Sequence, residues 1–191
     1  MPVDPATLRV IHFPAPILRT RSKPVPEVTP EVRAVALRMI EMMHEHDGIG
    51  LAANQVGLDW RVFVAHVPPV AGDAERSATS DPITATAEPM VFINPTFSEP
   101  QRDLVPLEEG CLSLPEISGD VRRPSAITIS ALGLDGEPFT LRAAGLLARC
   151  WQHEVDHLDG VLILDRMTQL SRMKNRSAIR DLEAQAERRG R

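Results

Sequence analysis

The feature that most constrains this chain is the run His153–His157, which reads H-E-V-D-H. Histidines at the first and fifth positions of such a run project from one face of a helix, so their imidazoles can converge on a single metal ion. Glu154 lies beside the first histidine and can act as a general base toward a water on that metal. The simpler interpretation is a charged helix surface with two solvated histidines. Leu146 and Cys150 share the face of the histidines, which favours a helix buried against a core.

The remaining periodicity predicts a mixture of helices and short strands. Residues 29–48 predict a helix that Thr29 caps and Gly48 ends, and residues 143–159 predict the helix that carries the two histidines. Residues rich in β-branched and aromatic side chains predict strands over 61–67, 90–94, 126–132 and 138–142. The Pro-, Ala-, Ser- and Thr-rich residues 68–89 predict an exposed connection. Arg122 and Arg123 are interpreted as a solvated strand edge, and contact of one of them with the peptide backbone or Glu109 is the alternative.

Length and composition indicate one soluble domain without a membrane span. The chain has 191 residues, of which 43% are hydrophobic, enough to bury a core. The first 25 residues contain no apolar segment typical of a secretory signal, so an intracellular location is expected. The net charge of −5 gives no general sign of nucleic-acid binding, although residues 166–191 hold 8 basic against 3 acidic residues.

Two histidines need a third ligand, because catalytic metal sites usually have three protein ligands and one open position. A histidine six residues after His157 would complete one known pattern, but Ile163 stands there. A glutamate from a following helix would complete another, but the next glutamate is Glu183, in the polar tail. The remaining candidate is Cys111, whose thiolate would be a strong anionic ligand. A buried free cysteine is the competing interpretation.

A third segment, residues 48–57, reads GIGLAANQVG. Its glycines permit a close approach of the backbone to a ligand, and Gln55 supplies an uncharged amide donor. It lacks the third glycine of a dinucleotide fingerprint and follows a helix instead of a strand. When this segment is taken alone, a glycine-rich turn after a helix is the favoured interpretation.

Taken together, GIGLAANQVG, EGCLSLP at residues 109–115 and QHEVDHLDG at residues 152–160 resemble peptide deformylase in their order and spacing. The resemblance covers nearly the whole chain. It implies an α+β fold with antiparallel β-sheets packed around a central metal-binding helix, followed by a C-terminal helix. It also implies a single catalytic domain over residues 1–191, with a basic tail over about 167–191, that removes formate from the N-terminal formylmethionine of new polypeptides.

The resemblance assigns roles to individual residues. Its metal ligands match Cys111, His153 and His157, its acid/base matches Glu154, and its oxyanion donors match Gln55 and the backbone N–H of Leu112. It favours Fe²⁺ as the ion, with Zn²⁺, Ni²⁺ or Co²⁺ as alternatives that the same ligands suit. The methionine side chain needs an apolar cleft, for which the candidate walls are Ile49, Gly50, Leu146 and Cys150; ordinary core packing is the competing interpretation for these four.

The expected partners are nascent formylmethionyl peptides and, through the basic tail, the ribosome. The expected location is the bacterial cytoplasm, and a mature organellar chain is the alternative. Two other functions remain open from the sequence: a non-catalytic ribosome- or peptide-binding module with a structural metal, and a zinc endopeptidase. The first would need a fourth protein ligand to close the site, and the second a third ligand near His157.

Overall fold

The computed structural model describes residues 2–69 and 79–189, which form two antiparallel sheets with helices packed around them. The strands are β1 (Gly50–Ala52), β2 (Val62–Ala65), β3 (Met90–Ser98), β4 (Leu104–Gly110), β5 (Ser118–Pro124), β6 (Ala126–Leu132) and β7 (Pro138–Ala144). The α-helices are α1 (Pro30–Glu45), α2 (Gly145–Leu158), α3 (Ile163–Arg166), α4 (Gln169–Lys174) and α5 (Arg176–Arg189). Short 3₁₀ helices span Pro5–Thr7, Pro16–Arg19 and Ala53–Val56.

The larger sheet separates two parts of the hydrophobic core. Its strand order is β1-β2-β3-β6-β7, and every neighbouring pair is antiparallel. Because successive side chains of a strand point to opposite faces, Phe63 packs toward α2 while Val62 and Val64 pack toward α1. The sheet is therefore covered by one helix on each face, and α2 is fully enclosed at Trp151.

The smaller sheet is the hairpin β4–β5, and it joins the C-terminal helices in a third part of the core. Val121 of β5 is fully buried there with Leu114 and Met167. Ile179 and Leu182 of α5 are partly buried against the same cluster. The C-terminal helix is thus attached to the hairpin by apolar contacts, while the rest of its surface faces solvent.

The helix boundaries follow from the capping residues that the sequence contains. Thr29 Oγ1 accepts a hydrogen bond from the Val32 N–H, and Pro30 occupies the first turn of α1. Gly160, just after α2, adopts a φ of +74°, a conformation that glycine adopts readily and other residues rarely do. Both predicted helices and all four predicted strands are present, with their ends shifted by a few residues.

Two sequence interpretations were wrong. Arg123 is only 5% exposed, so it is not a solvated strand edge; Arg122, its neighbour, is exposed. The connection over residues 68–89 is not wholly exposed either, because Ala85 and Thr86 are buried and Ile83 bridges to Ala143 of β7. Residues 70–78 of that connection lie outside the described residues. Of the described helices, none is both long enough and apolar enough to cross a membrane.

The tight turn at Gly160 gives a test of the fold. A Cβ at this position would lie 2.6 Å from the Arg19 carbonyl oxygen, so Gly160→Ala adds a backbone clash to the strain of its positive φ. We expect the free energy of unfolding to fall by about 2–3 kcal/mol in urea titrations. Gly136→Ala is the matched control, since its φ is +91° but its nearest neighbour would lie at 3.8 Å. Equal losses in the two variants would contradict this explanation.

Candidate metal centre

Three potential metal ligands from two separate parts of the chain converge at the buried side of α2. His153 and His157 lie one turn apart on α2, and Cys111 follows the last residue of β4. The His157 Nε2 atom lies 3.2 Å from Cys111 Sγ and 3.2 Å from His153 Nε2. All three ligand atoms lie within 4.8 Å of one another. Helix spacing and the turn after β4 therefore bring together the three residues singled out from the sequence.

The spacing and the protonation of these groups fit a single metal ion. Tetrahedral coordination with ordinary Zn–N and Zn–S bond lengths separates two ligand atoms by about 3.3–3.6 Å. Burial, reinforced by repulsion from His153 and Arg123, keeps the pKa of His157 well below its ordinary value, so its Nε2 lone pair is free to coordinate. Burial opposes protonation of His153 as well, but hydrogen bonds with Cys111 and Glu109 raise its pKa to about 10. Metal uptake would therefore displace a proton from His153.

The orientation of His153 is set by the buried carboxylate of Glu109. His153 Nδ1 lies 3.1 Å from Glu109 Oε2, which leaves Nε2 facing the other ligands. Arg123 donates two hydrogen bonds to the same carboxylate, and Arg149 donates one at 2.7 Å. Burial of Glu109 disfavours its charge, but the hydrogen bonds from His153 and Arg123 outweigh that cost and hold its pKa below the ordinary value.

A second carboxylate, that of Asp156, extends this network about one turn beyond His153 on α2. Asp156 accepts hydrogen bonds from Arg123 at 2.7 Å and from Arg166 at 2.7 Å. Arg149 also donates to the carbonyl oxygens of Val105 in β4 and Val121 in β5. Sequence reasoning missed Asp156 and Arg166. No local signal could have found them, because α2 has three charged residues among 14, below the 25% average of the chain, and Arg166 lies on α3.

Glu154 is 3% exposed and lies beside the ligands in an environment that favours its neutral form. Burial raises its pKa to about 7, although the charges of His153 and Arg123 act in the opposite direction. Its Oε2 atom has no hydrogen-bond partner among the described residues. A carboxyl group that can gain or lose a proton near neutral pH is suited to general acid–base chemistry.

Gln55, in the 3₁₀ helix after β1, lies beside Cys111, and Gly50 of β1 lies beside Glu154. Gln55 Oε1 accepts a hydrogen bond from the Ala52 N–H, and its Nε2 donates to Ser113 Oγ and lies 3.6 Å from Cys111 Sγ. Its amide N–H₂ is therefore turned toward the ligands. A Cβ at Gly50 would overlap the Glu154 carboxylate, so only glycine lets β1 approach α2 this closely.

These groups open into a cavity of about 400 Å³. Its apolar lining includes Ile49, Leu112 and Leu146, which are partly or substantially exposed, and Cys150, which is 4% exposed. Burial raises the pKa of the Cys150 thiol, and its Sγ donates to the Ile49 carbonyl oxygen. Every site residue singled out from the sequence lines this cavity except His157, which is 1% exposed.

Comparison with known proteins identifies the family. The family model for polypeptide deformylase matches residues 7–173. The chain belongs to the polypeptide deformylase family. It is 43% identical over 183 residues to the peptide deformylase of Acinetobacter baumannii strain SDF, covering 96% of each chain. Deformylases are metal-dependent hydrolases that remove the formyl group from the N-terminal formylmethionine of newly made polypeptides, and this is the activity of the chain.

Solved deformylase structures share the fold described above. The peptide deformylase of Ehrlichia chaffeensis superposes with a TM-score of 0.83 at 32% identity, covering 94% of this chain and 97% of that one. The deformylase of Synechococcus elongatus, whose structure was determined with actinonin, superposes with a TM-score of 0.74 at 36% identity. The match covers 88% of this chain and 83% of that one. The α+β fold expected from the resemblance is confirmed. Neither the binding module nor the endopeptidase is supported.

The burial of Glu154 predicts a pH-dependent stability for the metal-free deformylase. Because its pKa is about 7 when folded and about 4.5 when unfolded, the folded state loses stability as pH rises through that interval. Glu154→Gln removes the ionisation, so the variant should gain stability relative to wild type between pH 5 and 8, by up to about 3 kcal/mol. Urea unfolding in the presence of a chelator measures this. A difference between the two proteins that stays constant with pH would contradict it.

Proposed function

We propose that Cys111, His153 and His157 hold one divalent metal ion and that Glu154 carries the proton during deformylation. The observation that supports this most directly is the convergence of three ligand atoms beside a buried carboxyl group at one end of a cavity. Three protein ligands leave a coordination position for substrate or water, as catalytic sites require. A bound divalent ion would act as a Lewis acid, polarising the formyl carbonyl and making a water more acidic.

We propose Fe²⁺ as the ion in the cell. One thiolate and two imidazoles also suit Zn²⁺, Ni²⁺ and Co²⁺, so the ligands alone do not choose among them. The preference for iron comes from the family resemblance. If the ion is Fe²⁺, we expect the activity to decline in air, because iron is oxidised there, unless another divalent ion replaces it.

Glu154 would move one proton from the attacking water to the leaving nitrogen. As water adds to the formyl carbon, the carboxylate accepts its proton; as the C–N bond breaks, the carboxylic acid returns that proton to the amine and formate is released. Burial favours the neutral acid, which supports return of the proton to the amine, while a bound cation would favour the carboxylate that first accepts it. The thiolate ligand adds negative charge near the water, which disfavours loss of its proton. A nearby proton acceptor such as Glu154 is therefore needed more than in a site with three neutral ligands.

The negative oxygen that develops on the formyl carbon needs hydrogen-bond donors already in place. We propose the Gln55 side-chain amide and the Leu112 backbone N–H for this role. The two hydrogen bonds that hold the Gln55 side chain fix its N–H₂ group toward the ligands before substrate arrives. Donors that need no reorganisation contribute roughly 3–4 kcal/mol to transition-state stabilisation in comparable hydrolases.

We propose that the methionine side chain of the substrate lies against Ile49, Gly50, Leu146 and Cys150. All four line the cavity, and the neutral Cys150 thiol adds a small apolar surface beside Glu154. Leu146 is 47% exposed and Ile49 is 37% exposed, so both have apolar surface that a ligand would cover. An unbranched, polarisable side chain suits such a surface.

We also propose that residues 1–191 act as one catalytic domain in the bacterial cytoplasm and that the basic tail contacts the ribosome. Arg176 and Arg180 are exposed on α5, and the neighbouring Leu170 and Met173 are more than half exposed. Attraction to RNA phosphates is independent of sequence and weakens with salt, which suits brief contact with many ribosomes.

The deformylase assignment predicts formate release that depends on Glu154. Protein purified anaerobically with Fe²⁺ should release formate from a formyl-Met tripeptide, and Glu154→Ala should lower kcat by at least about 10³-fold because the proton carrier is lost. Cys111→Ser should lower the iron content per chain, measured by elemental analysis, because a thiolate ligand is replaced by a weakly acidic hydroxyl.

An acetyl-Met tripeptide is the substrate control and should release no acetate. Full activity in Glu154→Ala would overturn its assigned role. Cleavage inside the peptide, without formate, would identify an endopeptidase instead. Unchanged iron content in Cys111→Ser would remove Cys111 from the ligand set.

The ribosome contact predicts a loss of binding when exposed arginines of α5 are neutralised. Arg176→Gln/Arg180→Gln keeps the buried contacts of Ile179 and Leu182, which deleting the tail would remove. Co-sedimentation with ribosomes at low salt should fall severalfold while formate release is unchanged. Arg102→Gln/Arg142→Gln removes the same charge from two exposed positions elsewhere and should bind as wild type. Equal sedimentation of all three proteins would exclude the tail as the contact.

A further inference from the structure

A second pair of histidines lies outside the catalytic cavity. His44 Nε2 and His66 Nδ1 are 3.3 Å apart, and their rings meet at 68° with centroids 5.4 Å apart. At this distance the two nitrogens can share a hydrogen bond, whose place a metal ion would take. The separation nearly equals the 3.2 Å between the Nε2 atoms of His153 and His157. The two nitrogens are therefore spaced as two ligands of one ion would be.

Both histidines are held by ordered elements. His44 is in the last turn of α1, beside the buried Met42 and Met43, and His66 directly follows β2. The His66 N–H donates to the Ile49 carbonyl oxygen at 2.9 Å. Ligands that are already fixed lose little conformational freedom when they bind a metal.

The surroundings favour a cation at this pair. The C-terminal end of a helix carries partial negative charge, and His44 lies in that end of α1. Asp47 adds a carboxylate to the same segment, whereas the Glu45 carboxylate is paired with Arg38. His66 Nε2 is buried without a hydrogen-bond partner among the described residues, so Nδ1 is the nitrogen of that ring directed toward His44.

We propose that His44 Nε2 and His66 Nδ1 form a second site for a divalent transition-metal ion, with water completing the coordination. Neutral imidazole is a common ligand for Zn²⁺, Ni²⁺ and Cu²⁺. Two protein ligands make this site weaker than the three-ligand centre, so its occupancy follows the concentration of free metal. The inference is independent of the roles proposed for the catalytic residues.

A metal at this pair would link α1 to β2 across the segment that forms one wall of the cavity. Asp47, Gly48, Ile49 and Gly50 all line the cavity, and they lie between the two linked elements. The hydrogen bond from His66 N–H to Ile49 connects the pair directly to this wall. Occupancy should therefore slow amide hydrogen exchange in this segment, because fewer local openings remain accessible.

The test is a calorimetric titration of Zn²⁺ into protein already loaded with one equivalent of Zn²⁺, so that exchange at the catalytic centre is silent. Wild type should take up a second equivalent. His44→Ala and His66→Gln should each weaken this binding at least tenfold. His46→Ala is the matched control, because it removes an exposed histidine from the same helix end and should keep the second equivalent.

Cys111→Ser separates this site from the catalytic centre. When Zn²⁺ is titrated into metal-free Cys111→Ser, this variant should lose the tight binding of the first ion and keep the weaker binding that depends on His44. The proposal would be overturned if wild type bound only one equivalent of Zn²⁺, or if His44→Ala bound the second equivalent as wild type does. Equal loss of the second equivalent in His46→Ala and His44→Ala would also overturn it. His44→Ala keeps the test decisive if His66→Gln folds poorly, since His44 is exposed.

Discussion

The Glu109 carboxylate is the interaction on which the rest of this structure depends. It accepts hydrogen bonds from Arg123 of β5 and Arg149 of α2, and it contacts His153, so one buried group joins the hairpin to the metal-binding helix. Removing one partner of such a group leaves an uncompensated buried charge, which costs about 3–5 kcal/mol. Misplacing the hairpin therefore carries an electrostatic cost as well as the loss of apolar contacts, and that electrostatic cost falls on the same atoms that orient a metal ligand.

The position of Glu109 in the chain also explains how the ligands meet. Glu109 orients His153 through Nδ1, and Cys111, two residues later, supplies the thiol that faces His157. The end of β4 thus carries both a ligand and the group that orients another ligand. Any shift in the register of β4 against β5 would move both together, so the hairpin register and the geometry of the site are determined by the same pairing.

Residues with local signals were predictable from sequence, and residues that depend on distant partners were not. The period of α1, its Thr29 cap and the strand over residues 126–132 were correct because neighbouring residues specify them. The hairpin strands β4 and β5 were not predicted, since β4 exposes Leu104, Val105 and Leu107 and lacks a clear alternation. A contact of Arg122 or Arg123 with Glu109 was only the alternative to a solvated edge, because the partners of Arg123, Glu109 and Asp156, lie 14 and 33 residues away.

The fold buries the catalytic carboxyl group of Glu154 at a cost in stability. Glu154 is enclosed on α2, and the approach of Gly50 excludes any larger side chain beside it. That enclosure raises its pKa to about 7, so ionising it at neutral pH costs folding free energy. A cation held by the neighbouring ligands would offset this cost, because an opposite charge favours the ionised form. Metal binding and the ionised form of Glu154 therefore stabilise each other. The ion that would activate the water thus also favours the form of Glu154 that accepts its proton.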